Sequence, residues 1–376
     1  MADDGCKGLG LKNYRLGFVM EQTLGHVTHD RNLRQWVAED PGVTPEWMPV
    51  AFEAEDRWQR APLVRGNWTL RASLRAKGLV RETLKRQPLD GLFFHTQVTA
   101  LFAPAIMRRI PTVVSLDATP LNVDSVGEAY DHRPSGNRQM EALKNALNRR
   151  TFRTAGHLIT WCDWARQSLV RDYGVSAEKV TVIPPGIDLS KWSFDRSERR
   201  EGGRVRLLFV GGDFRRKGGE LLLEAFRKDL TGFCELDIVT REQVNTDGLE
   251  GVRVHHGLNS NAPALLALYA VADIFVFPTL GDCLPIAVME AMAAGIPVVA
   301  TCVGALSEEV DDGVTGCMIP PGNGEALAAA VISLAKDEEL RRAMGLAGRK
   351  QAEAKFSGRR NYNEVIAVVK RCVDGS

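Results

Sequence analysis

The chain has 376 residues, of which 44% are apolar and 25% charged, and its net charge is +1. That length exceeds what a single hydrophobic core usually fills, so two domains are expected, and the composition is globular, which excludes a long disordered tract. Charge is uneven along the chain: residues 1–185 hold 25 Lys/Arg against 20 Asp/Glu and the remainder 23 against 27, which points any anionic surface or substrate toward the first half.

The first fifteen residues carry no apolar run of the kind a secretory leader needs. The longest membrane-span candidate, Ala287 to Leu306, is interrupted by Glu290, Gly295, Pro297 and Gly304. Seven cysteines form no CxxC pair and sit mostly in apolar surroundings, as free thiols do in reducing compartments, so a cytoplasmic location is expected. His26 and His29 are the one close pair of metal-type ligands and have no cysteine nearby, so no metal site is expected.

Short β-branched and aromatic runs alternate with helical patterns, the signature of parallel sheets covered by helices. In the first half, strands are predicted at 14–20, 90–96, 111–117, 157–162 and 179–184; in the second half, at 204–211, 234–240, 252–257, 273–278, 296–301 and 316–320. Between the halves, Pro184–Gly203 is rich in Pro, Gly and charge and lacks periodicity, as a linker does. The expected division is 1–185, 186–355 and a C-terminal helical segment, 356–376, long enough to pack back on the first domain. The expected fold class is α/β, two doubly wound Rossmann-like domains facing across a cleft, with ligands beyond the carboxyl ends of the strands.

Two stretches of the second half carry chemistry. In FVGGDFRRKGGELLLEAF, 209–226, a strand ends at Gly211 and Gly212, a loop with Arg215, Arg216 and Lys217 follows, and a helix opens near Gly219. Glycines allow close approach of a ligand, and a helix N-terminus with adjacent cations suits a diphosphate; taken alone, the stretch reads equally as a basic surface loop between strand and helix. The order Lys-Gly-Gly excludes a Walker loop, and the glycine spacing excludes a dinucleotide fingerprint. In GDCLPIAVMEAMAAGIPVVAT, 281–301, Pro285 suits a first helical turn and Gly295 a stop, which places Glu290 among Ala, Met and Val. A carboxylate there needs partners: either a buried arginine or the vicinal hydroxyls of a ribose. Asp282, on the loop ahead, either caps the turn or faces sugar hydroxyls.

Taken together and in order, these stretches resemble the retaining glycosyltransferases of family 4, whose fold is called GT-B. VTVIPPGIDLSKW, LYAVADIFVFPT and EEVDDGVTGCMIPPGN extend the resemblance, which is dense from about residue 155 to 355 and thin before. It implies a donor sugar nucleotide held by the second domain, with Lys217 on the diphosphate, Glu290 on the ribose and Asp282 near the donor sugar. The backbone N–H groups of Leu284, Ile286 and Ala287 would approach phosphate or sugar, while Leu258 and Asn259 would lodge the base. This chain departs from the family pattern in three places. Asp282 replaces a glutamate, Pro285 replaces a common glycine, and Gly212 stands where the family has an arginine, leaving Arg215 or Arg216 to supply a second charge. In the first domain, Gly25 marks the loop after the first strand. Asp117 falls where many relatives carry a histidine beside the reacting carbon, or else forms an Asx turn before Thr119 and Pro120. His95, closing GLFFHT, is either similarly placed on the acceptor side or a packed strand-end histidine.

The implied reaction moves a hexose, with retention, from a nucleotide diphosphate sugar to a hydroxyl of a lipid, glycan or small-molecule acceptor, with UDP-sugars ranked ahead of GDP-sugars. No metal or other cofactor is implied, since fixed cations meet the charge gathering on the leaving diphosphate. Alternatives on the same architecture are a catalytically weak sugar-nucleotide-binding protein, an epimerase or a phosphorylase. Residues 57–86 contain nine Lys/Arg and one acid, with Leu70, Leu74, Val80 and Leu84 near one helical face and Arg71, Arg75, Arg81 and Lys85 on another. That pattern suits either a sheet-covering helix with a solvated basic side or peripheral contact with an anionic membrane at its inner face. No nucleic-acid-binding fold accompanies the charge, so no such partner is expected.

Overall fold

A computed structural model describes residues 12–23, 25–51, 58, 64–130, 137–194 and 203–375. Cys6, residues 57 and 59–63 of the basic segment and 195–202 of the linker lie outside the described residues. Two sheets of six strands each form the framework, all strands parallel. The first has the order β2-β1-β3-β4-β5-β6, from β1 (Tyr14–Gln22), β2 (Val43–Ala51), β3 (Gly91–His95), β4 (Thr112–Leu116), β5 (His157–Thr160) and β6 (Val180–Val182). The second has the order β12-β11-β10-β7-β8-β9. Its strands are β7 (Val205–Val210), β8 (Cys234–Val239), β9 (Val252–His255), β10 (Ile274–Phe277), β11 (Val298–Thr301) and β12 (Gly316–Ile319).

The central strands are apolar without alternation because helices cover both faces: TVVSL of β4, IFVF of β10 and VVAT of β11 are buried at every position. β2, VTPEWMPVA, departs from the sequence expectation. Pro45 and Pro49 hide it from a strand pattern, and the sheet tolerates them because β2 is the edge strand beside β1, where the missing N–H groups break no interior ladder.

The basic segment forms the helix Trp68–Arg86, with Asn67 as its N-cap. Its buried stripe is made by Ala72, Ala76, Val80 and Thr83 rather than by the leucines, and Arg75 is buried with them, donating to the Ala51 carbonyl at 2.9 Å. Close packing on the sheet favours small residues, so a helical wheel drawn on the large apolar ones is rotated from the true buried face. Leu79, Arg81 and Lys85 are exposed on this helix. Among the described residues, no helix is long and apolar enough to cross a membrane.

The C-terminal stretch is two helices, Glu338–Lys355 and Gly358–Asp374. The first packs on the helix Ile286–Ala293 of the second lobe; the second packs on the helix His26–Val37 and on β3 and β4 of the first. Where the chain crosses between lobes, its two passes touch: Ile187 N donates to Phe356 O at 3.0 Å and Gly358 N to Ile187 O at 2.8 Å.

Candidate active site

The carboxyl ends of both sheets face one another across a cleft of about 410 Å³. Its walls come from the loops after β1, β4 and β5 on one side and after β7, β8, β9 and β10 on the other. Such crevices beyond parallel strands are where open α/β sheets bind ligands, because backbone N–H groups and helix N-termini converge there. Gly25, Asp117, Gly211, Gly212, Arg216, Lys217, Leu258, Asn259, Asp282, Leu284, Ile286, Ala287 and Glu290 all line this one cavity.

The cationic turn is locked onto the acidic loop. Gly218 has φ +79°, and a Cβ there would lie 1.9 Å from the Pro278 carbonyl oxygen, so only glycine lets the turn approach the end of β10. Leu280 N donates to Arg216 O at 2.9 Å, and the Arg216 guanidinium donates to Asp213 at 2.8 Å and to Gly281 O at 2.8 Å. Arg216 therefore lines the cleft while its charge holds the two loops together. Arg215 is exposed and lies off the cleft wall, so neither neighbour of Lys217 offers an uncommitted cation to a ligand.

Lys217 forms an ion pair with the Asp282 carboxylate, and the other Asp282 oxygen accepts from Cys283 N at 3.1 Å. Burial lowers the Lys217 pKa while Asp282 opposes that shift. The helix Ile286–Ala293 begins where IAVMEAMAAG predicts, with Pro285 as N-cap, and its first turn opens on the cleft. Glu290, within it, is 4% exposed and accepts a hydrogen bond from the Tyr269 hydroxyl at 3.0 Å. Burial pushes its pKa up to about 8, only partly offset by that hydroxyl. The buried arginine partner considered from sequence is not there among the described residues, which leaves Glu290 as an acceptor lining the cavity.

On the opposite wall, Thr119 caps the helix Pro120–Ser125 in a reciprocal pair with Asn122, so Asp117 is not needed as a cap. Its carboxylate accepts from Ala118 N at 2.9 Å, and burial raises its pKa. Gly25 is the N-cap of His26–Val37, and a Cβ there would meet nothing within 4 Å, so the backbone is open to the cleft.

Of the two readings of His95, the structure bears out the packed strand-end histidine and not the acceptor-side one. His95 is fully buried beneath the cleft, stacked on Trp161 with ring centroids 5.3 Å apart, and outside the cavity lining. Its Nε2 lies 2.9 Å from His26 Nδ1, and His26 is the histidine that lines the cavity. Burial holds His95 well below the usual imidazole range, so it stays neutral and orients His26. His29 completes the stack, lowered to about 3 by burial and then by His26, with Tyr362 OH 3.2 Å from its Nδ1. His26 directly follows Gly25, but nothing in the sequence distinguishes it from a helix-surface histidine. Arg31, Thr240, Arg241 and Ser260 are further cleft residues that sequence reasoning passes over. No three His, Cys, Asp or Glu side chains among the described residues converge as metal ligands.

The lobes are also latched. Glu308 of the second lobe accepts from Asp163 N and Trp164 N, both at 2.7 Å, capping the helix Asp163–Arg171 of the first. Thr28 donates to Ser260 at 2.9 Å across the cleft mouth.

Comparison with known proteins matches each lobe separately. Residues 40–191 match the family model Glycosyltransferase Family 4, and residues 204–337 match Glycosyl transferases group 1. A D-inositol 3-phosphate glycosyltransferase of Arthrobacter sp. is 31% identical over 207 residues, 49% of this chain and 48% of that protein. The chain spans about half to two thirds of the length of the first curated relatives it matches. Among solved structures, sucrose-phosphate synthase from Thermosynechococcus elongatus superposes with a TM-score of 0.78 at 17% identity, covering 97% of this chain and 100% of that one. HepE of Anabaena in complex with UDP-glucose superposes with a TM-score of 0.68 at 16% identity, covering 95% of this chain and 100% of that one. With both lobe models matched in order and the two-sheet architecture shared throughout, the chain belongs to glycosyltransferase family 4 and has the GT-B fold.

Proposed function

We propose that this protein transfers a hexose from a nucleoside diphosphate sugar to an acceptor hydroxyl, with retention at the anomeric carbon. The observation that carries the reading is the convergence of Lys217, Asp282 and Glu290 from one lobe with Asp117 and Gly25 from the other on a single cavity. In this reading the Glu290 carboxylate accepts the ribose hydroxyls, Leu258 and Asn259 flank the base, and Lys217 meets the diphosphate. The N–H groups opening the helix Ile286–Ala293 add partial positive charge at the same point. As the glycosidic bond breaks, negative charge grows on the departing diphosphate, so Lys217 stabilises the transition state more than the ground state. Asp117 faces the anomeric region, where a carboxylate stabilises developing positive charge. The acceptor approaches past His26 from the first lobe. The donor is a UDP-sugar in preference to a GDP-sugar, consistent with the UDP-glucose complex of the Anabaena relative. No metal ligand set is needed in this scheme. The acceptor class extends to lipids, with the exposed Leu79, Arg81 and Lys85 resting on an anionic bilayer.

Thermal denaturation of the purified protein with UDP-, GDP- and ADP-sugars tests the donor assignment, since a ligand bound only by the folded state raises Tm. Anomeric analysis of the product by NMR tests retention. A UDP-sugar is expected to give the largest shift and an axial substrate linkage an axial product. No shift with any of the three, at millimolar ligand, overturns the donor reading, and an inverted product overturns the stereochemistry.

A further inference from the structure

A diphosphate brings two or more negative charges into a cleft already lined by Asp117, Asp213, Asp282 and Glu290. Lys217 is paired with Asp282, and Arg216 is bound to Asp213 and Gly281 O. Arg31 stands on the other lobe and its guanidinium donates across the cleft to Ser260 at 3.4 Å. The remaining cation on the diphosphate side is Arg241, just beyond β8.

Arg241 is set beside Lys217 by the sheet itself. β7 and β8 run parallel with Val210 opposite Val239, and Gly211 N continues the ladder to Val239 O at 2.9 Å. Residues 212 and 241 therefore leave the sheet side by side. A Cβ on Gly212 would fall 2.8 Å from Arg241 Nε and 2.9 Å from one terminal nitrogen, so the guanidinium lies directly over the glycine. The Lys217 side chain crosses Gly211 in the same way, 3.0 Å from a Cβ placed there. Gly212 does not have the positive φ that would require glycine, and a Cβ there would meet the flexible end of Arg241 rather than backbone, so the arginine occupies the room that a side chain at 212 would take. Arg241 is exposed and has no hydrogen-bond or ion-pair partner among the described residues.

We propose that Arg241 is the second diphosphate-binding cation of this enzyme, and that Gly212 is the space that admits it. The inference rests on the donor reading above and deepens it. A guanidinium presents a planar fork of donors to phosphate oxygens, which the single ammonium of Lys217, shared with Asp282, does not. Arg241 is a catalytic residue in this account because it touches the leaving diphosphate, where charge grows in the transition state.

The test uses the full chain with three variants: Arg241→Ala, Lys217→Ala and the exchange Gly212→Arg with Arg241→Gly. Arg241 is exposed and Gly212 has an ordinary φ, so the variants at these positions are expected to fold; Lys217→Ala leaves the buried Asp282 without its partner, and its fold is checked by far-UV circular dichroism. Binding of UDP and UMP is measured by calorimetry, with GDP and ADP alongside, and transfer by kcat/KM. Arg241→Ala is expected to weaken UDP about 10- to 100-fold while UMP changes by less than about threefold, and to lower kcat/KM by about 100-fold or more. The exchange, which returns a guanidinium to the same space from the neighbouring strand, is expected to recover most of both losses. If Arg241→Ala binds UDP and turns over as the native protein does while Lys217→Ala fails, the proposal falls and the donor reading stands. If the native protein binds none of the three nucleoside diphosphates, both fall. If the exchange stays as weak as Arg241→Ala, Gly212 is not the space the arginine needs, and that half of the proposal falls.

Discussion

Replacing Glu290 by Gln separates the cost of burying this carboxylate from its use. The side chain sits in an apolar helix with one hydroxyl partner, and its pKa rises from 4.5 to about 8. Between those values the folded protein holds a proton that the unfolded chain releases. The associated stability is therefore fully present below pH 4.5 and is lost as pH rises through 8. At about 1.4 kcal/mol per pH unit, the loss between pH 5 and pH 8 is at most about 4 kcal/mol, an upper figure because local relaxation reduces it. Gln keeps the shape, accepts from Tyr269 through its carbonyl and does not ionise. Urea or thermal unfolding of both proteins at pH 5, 6.5 and 8 is the assay. The native protein is expected to lose about 2 to 4 kcal/mol more than the variant over that range, roughly 4–16 °C in Tm for a lobe of this size. Ribose hydroxyls donating to Glu290 favour its ionised form, so UDP affinity of the native protein is expected to rise by up to about tenfold per pH unit below 8, and that of the variant to stay flat. Parallel stability profiles for the two proteins would refute the buried, protonated carboxylate, and parallel affinity profiles would refute its contact with the ribose.

Lys217→Ala is expected to lower turnover by about 100- to 1000-fold, the range for removing one donor to a developing anion, and steady-state kinetics at saturating donor would show it. Gly218→Ala combines a positive φ with a contact at 1.9 Å from Pro278 O, so it is expected to displace the Lys217 turn and abolish UDP binding in calorimetry while far-UV circular dichroism is retained. Glu308→Ala leaves the N–H groups of Asp163 and Trp164 without their interlobe acceptor; a cost of about 1–2 kcal/mol in unfolding free energy is expected, with wider lobe opening in small-angle scattering. Flotation with anionic vesicles tests the exposed face of Trp68–Arg86: binding lost at high salt and in an Arg81→Glu, Lys85→Glu variant supports membrane contact, and no binding at low salt removes it.

Alternating apolar and helical patterns, the Lys-Gly-Gly turn and the two acids of 281–301 are local, so the architecture and the second-lobe wall of the cleft are legible in the sequence. A buried parallel strand needs a continuous apolar run, and a carboxylate inside such a run already states that it must have a partner. What the chain does not state is which partner. Only the packed sheets bring Tyr269 rather than an arginine to Glu290, commit the charge of Arg216 to joining two loops at the cleft wall, bury Arg75 with a stripe of alanines, and sink His95 while raising His26 to the cleft. Arg241 belongs to the same class, since residues 212 and 241 meet through the register of two strands. Neighbours along the chain follow from backbone propensity and periodicity, whereas neighbours across the chain follow from how faces pack. A site assembled from the ends of seven strands is therefore decided by tertiary structure, even when many of its residues can be named beforehand.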